Sequence, residues 1–133
     1  MNYEAVYQTL RTKLQELVPH AAVRLPNETP AGPTTLDIDV SVSEVDTNIY
    51  TEESTKRDIS INLLLSVPVS TGTERINNIA SRLATAFNPL HDGSFWTDTR
   101  DYFVQVQSVC QRQPNISENR YQINVRILAI IYT

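Results

Sequence analysis

Three segments that alternate between apolar and polar side chains constrain the fold of this chain more than any other feature. Residues 36–43 (LDIDVSVS) alternate strictly, whereas 58–69 and 121–132 alternate first and then become continuously apolar. A period of two buries one face of a β-strand and leaves the other in water. A strand that is apolar on both faces lies in the centre of a sheet, or a helix or another subunit covers its second face. We therefore predict a sheet in which 36–43 and 58–69 form a long hairpin with a polar tip.

Two other segments have the spacing of three and four residues between apolar positions that is typical of an amphipathic helix. Residues 3–17 place these side chains on one helical face, and Pro19 ends the helix. The second helix follows Thr71, which forms a capping-box pattern with Glu74, and it ends before Asn88-Pro89.

The order of these elements predicts the fold class. Residues 22–25 are expected to form a short edge strand and 102–107 a further strand before the last one. The chain is then a single domain over 1–133 with an α+β fold. We expect a mostly antiparallel sheet of four to five strands with two helices packed on one face, in the order α-(β)-β-β-α-β-β.

Length and composition exclude several classes of protein. A chain of 133 residues suffices for one ordinary core, and no apolar run approaches the roughly 20 residues that span a bilayer. The first ten residues do not predict a secretory signal peptide. A single cysteine excludes an internal disulfide framework, and the net charge of −4 argues against a dedicated nucleic-acid binder.

The sequence contains no motif that indicates catalysis. It lacks the nucleophile elbow, the phosphate-binding loops and the zinc-protease pattern, and it has 3 glycines in all. His20 and His91 are expected to be exposed loop residues, and Cys110 a small buried or half-buried side chain near the end of a strand. We therefore predict no enzyme activity, no metal site and no cofactor.

One stretch of the chain is exclusively acidic. Between Arg24 and Lys56 there is no basic residue. The acids of this stretch are Glu28, Asp37, Asp39, Glu44, Asp46, Glu52 and Glu53. They form either a solvated strand face and loop tip, or a surface that pairs with arginines of a neighbouring subunit or repels passing DNA.

Two further features bear on partners. Phe95 and Trp96 are adjacent aromatic residues in a predicted loop, where they either fold back to cap the core or anchor a partner. The basic residues are 9 arginines and 2 lysines. Because the planar arginine fork binds carboxylates bidentately, this ratio favours assembly with other subunits over a freely soluble enzyme.

With these elements in place, the chain from 3 to 132 resembles the bacteriophage tail terminators, the ring-forming proteins of long-tailed phages. Residues 23–27 (VRLPN) resemble the short strand and Pro-Asn turn of that family. Residues 66–73 (SVPVSTGT) resemble its strand-to-helix corner but keep only one of the two glycines there. The helix end at 80–87, followed by Asn88-Pro89, resembles the family as well.

The resemblance implies a structural role. Members of this family form a hexameric ring on the completed tail tube, stop its growth and offer a surface to the head–tail connector protein. Such a subunit belongs to the head-proximal end of the tail in the virion and is present in the host cytoplasm during assembly. Its partners are further copies of itself, the tail tube protein and the connector, while DNA passes through the lumen without specific binding. The candidates for the subunit, lumen or partner surface are then Asp37, Asp39, Glu44, Asp46, Glu52, Glu53, Phe95 and Trp96.

Two alternatives remain open from the sequence. One is a head–tail connector or minor tail-completion protein of the same size. The other is a small α+β ligand-binding or enzymatic domain, which would contain a concave pocket with perturbed titratable groups.

Overall fold

The computed structural model describes residues 3–26, 28, 36–49, 55–92, 94–96 and 102–133. The helices are α1 (Glu4–Leu17), α2 (Glu74–Ala86) and the one-turn α3 (Pro89–Asp92). The strands are β1 (Ala22–Arg24), β2 (Asp37–Ile49), β3 (Thr55–Pro68), β4 (Ser94–Trp96), β5 (Phe103–Gln111), β6 (Asn115–Ser117) and β7 (Arg120–Tyr132). Among the described helices, none is long and apolar enough to cross a membrane.

The seven strands form one curled sheet shaped like half a barrel. Their order is β1-β2-β3-β7-β5-β4, and β6 also pairs with β7. The β1–β2 pair is parallel and the other pairs are antiparallel. The predicted fold class is therefore wrong: the sheet is mixed rather than mostly antiparallel, has seven strands rather than four to five, and curls instead of forming a layer with helices on one face.

Physical features that leave little trace in the sequence account for this error. The strands β1, β4 and β6 have three residues each, which is too short to show a period. The register shifts between Glu44 and Asp46 on β2, and between Val106 and Ser108 on β5. Each shift is a bulge that bends its strand and increases the local twist, which favours a curled sheet.

The core lies between the helices and the inner face of this sheet. The predicted hairpin is confirmed, since β2 pairs with β3 from Asp37↔Ser66 to Ile49↔Thr55. The last strand, β7, is central, between β3 and β5. The buried side chains of α1 and α2 meet alternate side chains of the central strands in one cluster. Among its fully buried members are Leu10, Leu14, Leu63, Leu83, Val125 and Ile127.

Both long helices occur where the apolar spacing predicts them, but the start of α2 differs from the prediction. Thr71 belongs to a 3-10 turn (Val69–Thr71) and does not cap the helix. Thr73 takes the N-cap position without a side-chain capping hydrogen bond. Gly72 has a φ of 80°, a left-handed conformation that glycine adopts without strain, and it separates the turn from the helix.

Hydrogen bonds and charge contacts hold α1 against the sheet as well. The hydroxyl of Tyr7 accepts a hydrogen bond from the backbone N–H of Val42 at 2.9 Å. Helix α1 therefore covers a backbone donor on the edge of β2 that does not pair with β3. The ammonium of Lys13 lies 5.6 Å from the ring centroid of Phe87 and 5.7 Å from that of Phe95. These cation–π contacts join α1 to the end of α2 and to β4.

Adjacent leucines on β3 provide a test of which sheet face is packed. Leu63 is fully buried on the inner face, whereas Leu64 is half-buried on the outer face. We expect Leu63→Ala to lower the free energy of unfolding by about 2–5 kcal/mol, because it leaves a cavity in the core. Leu64→Ala should cost roughly 1 kcal/mol or less. Urea denaturation of both variants measures the difference, and equal losses would mean that the outer face is packed too.

Candidate functional site

The most buried acid of the acidic stretch is paired within the chain. Asp37 has only 6% of its side chain exposed and lies at the start of β2. Its Oδ2 lies 3.8 Å from Nη2 of Arg24 on β1 and 3.4 Å from Nη2 of Arg120 on β7. One carboxylate therefore faces two guanidinium groups, which come from strands on either side of β2 in the sheet order.

The same network includes Asp39 and Ser66. Arg24 binds Asp39 with both arms of its fork, at 2.6 Å from Nε to Oδ1 and 2.8 Å from Nη2 to Oδ2. Arg120 donates from Nε to Oγ of Ser66 at 3.1 Å and from Nη2 to the Ser66 carbonyl at 3.0 Å. The cations that face Asp37 and Asp39 thus belong to their own chain, which is neither the solvated face nor the subunit or DNA surface that the sequence left open.

Two other acids of the stretch also have partners in the chain. Glu28 pairs with Arg11 and accepts a hydrogen bond from the Leu25 N–H at 2.7 Å. The hydrogen bond from Arg11, followed by the one from the Leu25 N–H, lowers the pKa of Glu28. Glu44 accepts from Nη1 of Arg57 at 3.0 Å and from the Tyr3 hydroxyl at 3.2 Å. Burial of the phenol, and then the charge of Glu44, raises the pKa of Tyr3.

The remaining candidates from the sequence have different environments. Asp46 is exposed on β2 near the hairpin tip, and Glu52 and Glu53 lie outside the described residues. Phe95 lies on β4 rather than in a loop, and it is 8% exposed within the core. For Phe95 the core-capping alternative therefore holds. Trp96 also lies on β4, but its side chain is outside what the structure describes.

The outer face of the sheet contains a polar groove that the sequence did not indicate. It has a volume of about 500 Å³ and is lined by Ser43, Val45, Ser60, Asn62, Leu64, Arg112, Asn115, Asn124 and Arg126; we call it the basic groove. Arg126 donates from Nε to Oγ of Ser60 at 3.1 Å. Within the described part of the chain, neither Arg112 nor Arg126 has a carboxylate partner. The buried Oδ1 of Asn124 likewise has no hydrogen-bond partner there.

An apolar strip borders the basic groove on the same face. It consists of Leu128, Ile130 and Tyr132, the outward-facing residues at the end of β7. Leu128 and Tyr132 are each 38% exposed, and Val45 at the β2 bulge is 62% exposed. Val45, Leu128 and Ile130 line a cleft of about 340 Å³. The continuously apolar end of the last strand thus reflects a central position in the sheet, and its outer face is left accessible.

Cys110 adjoins the basic groove, because it lies opposite Arg126 in the β5–β7 register. Its side chain is exposed, so the prediction of a buried or half-buried cysteine is wrong. Val104 and Val106 are buried, and simple alternation would turn Cys110 inward with them. The bulge at Gln107 reverses this alternation and turns Cys110 outward.

The candidates for other chemistry do not converge. His20 is exposed at the end of α1, and the side chain of His91 lies outside the described residues. Among the residues that the structure describes, no group of three or more His, Cys, Asp or Glu could hold a metal ion. The residues that the outer face does bring together are suited to binding an acidic or partly apolar surface.

Comparisons with known proteins identify the fold but no activity. No protein-family model matches the sequence, and no curated protein matches it. The structure is similar to a solved structure of a protein whose name states neither an activity nor a partner. The TM-score is 0.66 at 11% identity, over 98% of this chain and 96% of the other. At this identity the likeness shows a shared fold alone.

The network around Asp37 provides a test of what holds the strands at this end of the sheet. Asp37→Asn removes the charge that faces Arg24 and Arg120 while it keeps the side-chain size. We expect the free energy of unfolding at neutral pH to fall by about 1–3 kcal/mol, because two partly buried guanidinium groups lose a charged partner. The control is Glu28→Gln, which breaks an exposed pair and should cost less. A loss for Asp37→Asn no larger than the control, in urea denaturation, would contradict this role.

Proposed function

We propose that this protein is a structural subunit of a phage tail, which assembles as a ring on the completed tail tube, stops its growth and presents a surface for head joining. The observation that carries the proposal is the accessible outer face of β7, the central strand. There the apolar strip lies beside a groove whose two arginines have no carboxylate partner in the described chain.

An accessible apolar strip with a polar border is typical of a surface that contacts another protein. The strip is on β7, a regular strand at the centre of the sheet, so the backbone that carries its side chains is in place before any partner binds. Preorganisation of this kind reduces the entropy lost on association. Such a surface suits a subunit that must add to a tube end and remain there.

The resemblance to the tail terminators supports the proposal in a different way. The stretches that carry it lie at β1 and the turn after it, at the corner from β3 into α2, and at the end of α2. These segments shape the subunit, so the resemblance bears on its architecture. The accessible outer face bears on assembly.

In the proposed ring, Asp37 and Asp39 would contribute little to the repulsion of DNA in the lumen. Asp37 and Asp39 face Arg24 and Arg120, so their charges are largely compensated and would repel DNA only weakly. The net charge of −4 on each copy still gives a ring of negative charge overall. We therefore propose that DNA slides past without specific binding because of this net charge rather than because of a wall of unpaired aspartates.

The decisive experiment follows tube growth. Purified protein is added to tubes polymerising in vitro from a phage tail tube protein, and tube lengths and ends are examined by electron microscopy. We expect six-fold rings at one end of each tube and no further growth from that end. A head–tail connector or completion protein would self-associate or bind without arresting growth. A protein that stays monomeric and leaves tube length unchanged would contradict the proposal.

The apolar strip is tested by a pair of substitutions at equal exposure. Leu128 is 38% exposed in the strip, and Val69 is 37% exposed in the turn before α2, away from it. Leu128→Asp places a charge in the contact surface and should weaken self-association about tenfold or more, with the circular dichroism spectrum unchanged. Val69→Asp should leave association as it is. Light scattering coupled to gel filtration measures both, and equal effects would mean that the strip is not the contact.

A further inference from the structure

We propose that the basic groove binds an acidic, extended segment of a partner protein, and that Arg112 and Arg126 hold a carboxylate of this segment between them. This inference rests on the proposed function, since it names the chemistry of a partner that the accessible outer face recognises. The groove supplies contacts both for the carboxylate and for the backbone of the segment.

Arg126 is an exception among the arginines that the structure describes. It is half-buried and has no acidic partner within the described chain, and its Nε donates to Oγ of the buried Ser60. The four other half-buried arginines of the described chain each pair with an acid of the same chain; they are Arg11, Arg24, Arg57 and Arg120. Partial burial removes water from a guanidinium group, and a carboxylate compensates for that loss. The exception therefore marks a place for a carboxylate from another molecule.

Arg112 adds a second positive charge to the same groove. Cys110 lies opposite Arg126 in the β5–β7 register, and the hydrogen bond from the Arg112 N–H to the Asn124 carbonyl, at 2.9 Å, continues this ladder. Arg112 is thus a diagonal neighbour of Arg126, with a separation of roughly 7–8 Å that long side chains can span. Like charges at this spacing repel each other, and an anion that binds between them replaces the repulsion with attraction.

The same face of the sheet shows how a carboxylate fits between two arginines. Oδ2 of Asp37 lies 3.8 Å from Nη2 of Arg24 and 3.4 Å from Nη2 of Arg120. The basic groove contains a comparable pair of guanidinium groups, but within the described residues no carboxylate pairs with either of them. A carboxylate has two oxygens, so it can accept a hydrogen bond from each arginine. We therefore expect the incoming group to be the side chain of an acidic residue.

The other residues of the groove favour a polypeptide over a small anion. Asn62, Asn115 and Asn124 contribute amide groups, which pair with the N–H and C=O groups of a peptide backbone. The buried Oδ1 of Asn124 has no donor in the described chain. Because the terminal torsion of asparagine is soft, this oxygen can turn toward a backbone N–H, a donor that a carboxylate ion lacks. Leu64 and Val45 give the groove apolar contacts as well.

A protein segment also fits this surface better than a nucleic acid does. Nucleic acids are bound through many cationic contacts with phosphates, and they favour a basic domain. The described groove contains two guanidinium groups, and the chain as a whole has a net charge of −4. Two arginines in an otherwise acidic protein are complementary to a partner that presents one or a few carboxylates.

Titration with two matched peptides, followed by NMR, tests the site. The probe is acetyl-Leu-Thr-Asp-Thr-Leu-amide, whose Asp and Leu side chains lie on one side when the backbone is extended. The control peptide has Asn in place of Asp, which removes the charge at the same size. We expect the Asp peptide to shift the side-chain signals of Arg126 and Asn124 and to bind about tenfold or more tightly than the Asn peptide. Added salt should reduce this difference.

Variants of the protein assign the binding to the groove. Arg126→Gln removes the half-buried guanidinium group and should weaken binding of the Asp peptide about tenfold or more, to the level of the Asn peptide. Arg112→Gln should weaken it less, because Arg112 is exposed. The matched control is Arg75→Gln on α2, since Arg75 is exposed and also has no acidic partner in the described chain. It should leave the affinity unchanged, and circular dichroism checks that each variant is folded.

The exposed thiol of Cys110 provides an independent measurement on the unmodified protein. Cys110 is the only cysteine, and it lies opposite Arg126 beside the groove. A segment bound in the groove should cover this thiol and slow its alkylation by iodoacetamide, which mass spectrometry follows. We expect the Asp peptide at saturation to slow the reaction several-fold, and inorganic phosphate at the same concentration to have little effect. In urea-denatured protein the peptide should not change the rate.

The outcomes separate this inference from the proposed function. A preference for the Asp peptide that Arg126→Gln removes and Arg75→Gln retains supports the inference. Absence of binding, equal binding of the two peptides, or tighter binding of inorganic phosphate or of a single-stranded oligothymidylate overturns it. Tube capping by such a protein would leave the proposed function standing. A protein that binds the Asp peptide in the groove but leaves tube growth unchanged overturns the proposed function instead.

Discussion

The pairing of β3 with β7 is the interaction on which the rest of the structure depends. It runs without interruption from Lys56↔Tyr132 to Pro68↔Arg120, and neither strand has a bulge in this pair. From Ile59 to Val67 on β3 and from Ile123 to Ile131 on β7, the inward-facing residues are apolar and buried, so this ladder forms the floor of the core. Strand β2 pairs with β3, strand β5 pairs with β7, and helix α2 contacts both β3 and β7. Their positions follow from a ladder between two segments that are far apart in the sequence.

The sequence was sufficient to predict the two strands of this ladder, though not their pairing, because the pattern of each is long and regular. Burial alternates without a break from Ile123 to Tyr132 on β7 and from Ile61 to Leu65 on β3, and α1 and α2 show a clear helical spacing. Where one residue interrupts the pattern, prediction failed. The bulge at Gln107 adds a residue to β5 and turns Cys110 outward, and no residue type marks the position of such a bulge in advance.

The candidate site was predicted less well, because its charges meet through tertiary pairing. The acidic stretch was visible as a run without Lys or Arg, but the arginines that face it come from β1 and β7, before and well after that run. Arg24 reaches Asp39 only because β1 pairs in parallel with β2, opposite that residue. Arg112 and Arg126 become neighbours through the β5–β7 register. Composition recorded the abundance of arginine, but it could not distinguish the paired arginines from those without an acidic partner.

The structure also favours association through the sheet face over association through a strand edge. An open strand edge invites another chain to add a strand, and natural sheets prevent this with bulges and charges. On β2 the bulge at Val45 interrupts the ladder, Glu44 and Asp46 flank it, and Tyr7 bonds the Val42 N–H. Added strands would extend without limit, whereas a contact between two different patches on the sheet face would fix the angle between neighbours. The ring that we propose would need such a fixed angle, and the protected edge and the accessible face both suit it.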